Sequence, residues 1–63
     1  TALSERELQT LIKIAKGKRL SEIALELSLS PKTVSVYRAR VMEKLNLDSN
    51  AALATYALRH NLL

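Results

Sequence analysis

Only Ser28, Leu29 and Ser30 separate two stretches of helical apolar spacing, and Pro31 fixes where the second stretch begins. Serine is a good acceptor for the free N–H groups at a helix start, and proline at the first helical position removes a donor that has no partner there. So short a link leaves no room for a gradual reversal, so the second helix must leave the first at a steep angle. A scaffold helix, a tight turn and a longer second helix make an arrangement in which that second helix can enter a groove about 12 Å wide.

The other boundaries follow from caps and periodicity. Ser4 followed by Glu7 is a capping box, and Leu8, Leu11, Ile12 and Ala15 recur at helical spacing until Gly17, which can take the positive φ of a helix end. Ile23, Ala24 and Leu27 form a second, shorter stripe. After a break from Asn46 to Ser49, Ser49 caps a last segment that Asn61 closes. The predicted helices are 5–16, 20–27, 31–45 and 50–60, and no strand signal, repeat or low-complexity segment is present. The expected fold is all-α, a four-helix helix-turn-helix domain filling residues 1–63 as one unit. A chain this short buries only about 60% of its unfolded surface and cannot divide into two cores.

Composition then narrows the function. The chain is 48% apolar with no Phe or Trp, so its core must be aliphatic, which suits close-packed helices. It has no cysteine, and the single His60 cannot form a metal cluster alone, so neither metal nor cofactor is expected. No paired carboxylates, no Ser–His–acid or Cys–His set and no glycine-rich phosphate loop stand in the sequence, so an enzyme is not expected. No apolar run reaches the roughly 18 residues that span a bilayer, and no secretory or lipidation signal is visible; a soluble, cytoplasmic domain without a membrane role is expected. The start at Thr1 and the linker-like first residues suggest a module from a longer chain.

A net charge of +4 favours an anionic partner, and its distribution is more telling than its size. Between residues 32 and 44, Lys32, Arg38, Arg40 and Lys44 face a single acid, Glu43. Helical periodicity turns Val34, Val41 and Leu45 inward, flanked by Tyr37 and Arg38, and leaves Lys32, Ser35, Val36, Ala39, Arg40 and Glu43 outward. Small residues let a helix approach base edges, basic ones reach guanine or phosphate, and valine suits a thymine methyl group. Ser30 and Thr33 beside the helix N-terminus can help hold a phosphate. Blander readings stay open: a solvated basic face for Lys32, Arg40 and Lys44, core packing for Tyr37, and hydration for Lys18 and Arg19, which otherwise clamp the DNA backbone.

Taken together, Leu3-Ser4-Glu5-Arg6-Glu7, Gly17, Glu22-Ile23-Ala24, Leu29-Ser30 with Thr33-Val34, and Lys44-Leu45 resemble the LuxR/NarL-type (GerE-type) helix-turn-helix of bacterial transcriptional regulators over essentially the whole chain. The resemblance implies the C-terminal DNA-binding domain of a two-component response regulator or ligand-sensing activator, with an N-terminal receiver or ligand-binding domain outside this sequence. It implies base-edge contacts by Lys32, Ser35 and Val36 with Ala39 close by, and phosphate contacts by Thr33, Tyr37, Arg40 and Lys44. Three features depart from the family pattern: the pair Arg19-Leu20 replaces a frequent Ser-Asn cap, Tyr37 a frequent His, and Asn61 a frequent Gly.

On the fourth helix, Leu53, Ala57 and Tyr56 are expected to face the core, while Ala51, Ala54, Thr55 and Leu58 gather on another side. That small, uncharged face permits close helix approach, and the resemblance also implies a homodimer through this helix on double-stranded DNA. A helical protein-interaction module and a sigma-factor-like promoter-reading domain are the competing expectations.

Overall fold

The computed structural model describes residues 2–63. Four helices follow in order: α1 (Glu5–Ala15), α2 (Leu20–Leu27), α3 (Pro31–Leu45) and α4 (Asn50–Arg59). Local chemistry sets their starts. The Ser4 hydroxyl accepts from the Glu7 backbone N–H while the Glu7 carboxylate accepts from the Ser4 N–H. Ser30 caps α3 through the Thr33 N–H, with Pro31 next to it, and Ser49 caps α4 through the Ala52 N–H. At α2 the arginine side chain offers no acceptor, so only half of a capping box forms, with Glu22 Oε1 accepting from the Arg19 N–H at 2.9 Å.

Helices α2 and α3 have the predicted bounds, whereas α1 and α4 each stop one residue earlier than the predicted 16 and 60. Lys16 and His60 are the caps, because the chain leaves the helix at Gly17 (φ +87°) and Asn61 (φ +55°). Nothing lies near a Cβ placed on Gly17, so its requirement is the dihedral alone. Ser28 and Asn46 take the left-handed conformation at the ends of α2 and α3. In the turn between those helices the Leu29 N–H returns to the Ala24 carbonyl at 2.8 Å, and Leu29 packs against the core, which anchors the corner that aims α3.

The core is aliphatic, as the composition required: Leu11, Ile14, Ile23, Ala24, Val34, Val41, Leu53 and Ala57 are buried. Each fully buried Leu, Ile or Val contributes about 1.5–3 kcal/mol relative to exposure. Helix α1 packs on α2, α3 and α4, and α2 packs on α3, while the side of α3 that carries Lys32, Ser35, Val36 and Arg40 stays exposed. Thr10 is also buried, and its hydroxyl donates to the Arg6 carbonyl at 2.8 Å.

Candidate nucleic-acid interface

The inward side of α3 supplies Val34 and Val41 to the core, with Leu45, Tyr37 and Arg38 half-buried beside them. Lys32, Ser35, Val36, Ala39, Arg40 and Glu43 are exposed on the outward side, as helical periodicity predicts. Val36 keeps 44% of its surface in water, a β-branched apolar group between polar neighbours and open to a partner. Among the described residues, neither Lys32 nor Arg40 takes part in an ion pair. The face therefore carries two cations that have no carboxylate partner among the described residues.

At the N-terminus of α3 the Ser30 hydroxyl lies 2.9 Å from the Thr33 hydroxyl and accepts from the Thr33 N–H at 3.1 Å. Ser30 and Thr33 are thus ordered as one polar unit at the positive end of the helix dipole. Arg19 is exposed next to α2, and Tyr37 is half-buried on the flank of α3.

Two lysines expected on phosphates stand elsewhere. Lys44 Nζ donates to Glu7 Oε1 at 2.7 Å, and Lys18 Nζ lies 2.8 Å from Glu26 Oε2. Lys13 joins the second site by donating to Glu26 Oε1. The bond from Lys44, reinforced by the Ser4 N–H, holds the Glu7 carboxyl at about 2 instead of 4.5. Glu26 is likewise lowered to about 2, first by Lys13 and then by Lys18, and Glu26 in turn raises Lys18. These two ammonium groups, expected on phosphates, are paired with carboxylates of the domain itself.

Sequence reasoning placed Glu7 only in a capping box and missed both carboxylates as partners of lysines. For Glu7 a signal existed, because it falls on the same helical stripe as Leu11 and Ile14 and therefore points inward, where a charge must find a partner. A second unforeseen link is the bond from Arg38 Nε to Asn50 Oδ1 at 2.8 Å, which ties the middle of α3 to the first residue of α4.

On α4, Leu53 and Ala57 are buried and Tyr56 packs against the core while stacking on His60, their ring centroids 4.1 Å apart. Ala51, Thr55 and Leu58 are exposed and Ala54 is half-buried, which leaves a low, uncharged surface with Leu58 at 68% exposure.

This arrangement can be set beside known proteins. The family of bacterial regulatory proteins described as luxR family (GerE) matches residues 1–57. The chain is similar to the response regulator UvrY of Escherichia coli (strain K12), 49% identical over 61 residues, covering 97% of this chain and 28% of that protein. It is also similar to the response regulator GacA of Pseudomonas aeruginosa, 45% identical over 62 residues, covering 98% of this chain and 29% of that protein. The chain thus spans less than a third of the length of these curated relatives. No solved structure matches it. With a corner that projects α3, an open cationic face on that helix and a family match across most of its length, the chain belongs to the luxR family of bacterial regulatory proteins, as its helix-turn-helix DNA-binding domain.

Proposed function

We propose that this domain is the output unit of a two-component response regulator and reads double-stranded DNA by laying α3 in the major groove. Lys32, Ser35, Val36 and Ala39 meet base edges, while Arg19, Ser30, Thr33, Tyr37 and Arg40 hold phosphates. The observation that carries this reading is the outward face of α3, where Lys32 and Arg40 stand exposed without a carboxylate partner among the described residues. Phosphate contacts supply most of the affinity, and the few side chains facing bases supply the preference.

Two copies bind as a symmetric pair through Ala51, Ala54, Thr55 and Leu58 of α4, which places two recognition helices on symmetry-related half-sites. The small uncharged surface there supports the pairing, and its modest area implies weak association without DNA or a further domain. UvrY and GacA are named response regulators and are more than three times as long as the matched segment, which favours an N-terminal receiver domain over a ligand-binding one. The reading places the protein in the cytoplasm with the chromosome. No helix among the described residues is long and apolar enough to cross a membrane.

Footprinting on randomised duplex DNA across a salt series tests the proposal. The expected result is a two-fold symmetric protected site and an affinity that falls steeply with salt, by about 0.9 in log–log slope for each phosphate neutralised. Binding indifferent to duplex DNA would instead favour a helical protein-interaction module.

A further inference from the structure

We propose that Glu7 and Lys44 form an internal clamp that sets the tilt of α3 and withholds the Lys44 charge from phosphates, making Lys44 a positioning residue and not a DNA contact. The charge-withholding half rests on the DNA-binding reading above; the clamp itself does not.

The geometry is specific. Glu7 sits in the first turn of α1 and is only 2% exposed. One oxygen, Oε1, accepts both the Ser4 N–H at 2.8 Å and Lys44 Nζ at 2.7 Å. A carboxylate so deeply covered keeps its charge only beside a cation, and Lys44 from the last turn of α3 is that cation. The same oxygen therefore completes the cap of α1 and grips the far end of the reading helix.

Helix α3 is consequently fixed along its length. Its start is held by the Ser30 cap and the anchored Leu29, its middle by Val34, Val41 and the Arg38–Asn50 bond, and its end by Lys44. Truncating Lys44 strands a buried carboxylate and loosens the last turn together.

The pair also changes the electrostatics of the DNA face. Salt dependence counts the phosphates that a protein neutralises, and an ammonium already matched by a carboxylate adds little to that count. Lys32 and Arg40 lack such a partner among the described residues. By silencing one cation beside the groove-facing surface, Glu7 lowers affinity for arbitrary DNA and raises the share of binding that depends on sequence.

Three variants of the 63-residue chain test this. Glu7→Gln keeps an oxygen for the Ser4 N–H but removes the charge; Lys44→Met keeps the apolar stem; the double variant removes both charges. Binding to random-sequence duplex across a salt series and thermal unfolding are measured for each. Glu7→Gln is expected to steepen the log–log salt slope by about one unit and to tighten low-salt binding several-fold. Lys44→Met is expected to melt well below the parent chain with its slope unchanged. The double variant, whose glutamine needs no cation, regains much of the lost melting temperature and keeps the parent slope, and it carries the test if Lys44→Met does not fold. A slope flattened by about one unit in either variant lacking Lys44 overturns the charge-withholding role. Parental melting of Lys44→Met overturns the clamp. Absence of steep salt dependence in the parent chain would sink the DNA-binding reading instead, leaving the clamp to be judged on melting alone.

Discussion

The outward face of α3 and the flank where α1 meets α2 carry the same kinds of basic side chain and use them in opposite ways. On the flank, Lys13 and Lys18 converge on Glu26 and are matched within the molecule. On α3, Lys32 and Arg40 have no such partner among the described residues and stay open to an external anion. The lesson is that a net charge of +4 is a poor guide to how many cations can grip a duplex; what counts is which of them the fold leaves unmatched.

The hardest test of that contrast removes each set in turn. Replacing Lys32 and Arg40 together by alanine is expected to flatten the salt slope by about one unit, through the lost Arg40 phosphate contact, and to weaken duplex binding by about a hundredfold. Replacing Lys13 and Lys18 together by methionine should leave the slope near the parent value. Equal losses from the two double variants, measured by fluorescence anisotropy, would erase the distinction between the regions.

Next in size is the pairing of domains. Leu58→Asp places a charge on the uncharged outer face of α4 and is expected to abolish paired occupancy of adjacent half-sites while single half-site binding persists. Unchanged cooperativity in a titration of one-site and two-site duplexes would remove α4 from the interface.

Acid separates the two regions in another way. The carboxyls of Glu7 and Glu26 titrate at about 2 in the folded chain, below the ordinary 4.5, so their stabilising effect is complete above 4.5 and is lost as pH falls toward 2. Urea midpoints should decline across that window, and Glu26→Gln should make the decline shallower. A Glu26→Gln profile as steep as the parent's would show that the flank pairs matter little to folding.

The smallest expected effect is the most local one. Val36→Ala trims the branched group on the open face and is expected to change preference at one base pair by about 1 kcal/mol, with core stability little altered. Equal changes at matched and mismatched sites in competition binding would end its role as a base reader.

Much of this was legible from sequence because helix ends are local chemistry. Ser4 with Glu7, Ser30 before Pro31, Ser49 and Asn61 each act within a turn of the chain, so their positions in the sequence nearly suffice to place them. The outward side of α3 was also legible, since the period of an α-helix separates Val34 and Val41 from Lys32, Ser35 and Val36 without knowledge of the neighbours. The ion pairs were not. Glu7 and Lys44 lie 37 residues apart and meet only because α1 packs on α3, and Lys13 finds Glu26 across 13 residues. Which cations remain available to a ligand is a tertiary property, so candidate contacts read from one helix at a time included two that the fold employs internally.

The single bond from Arg38 to Asn50 has a mechanical meaning. It joins the middle of the helix proposed to enter the groove to the root of the helix proposed to hold the neighbouring domain, and because both helices also pack on α1 they stand as arms of one bracket. A symmetric assembly built on such brackets would carry its own ruler, and operators whose halves stood at another spacing would have to bend or be refused.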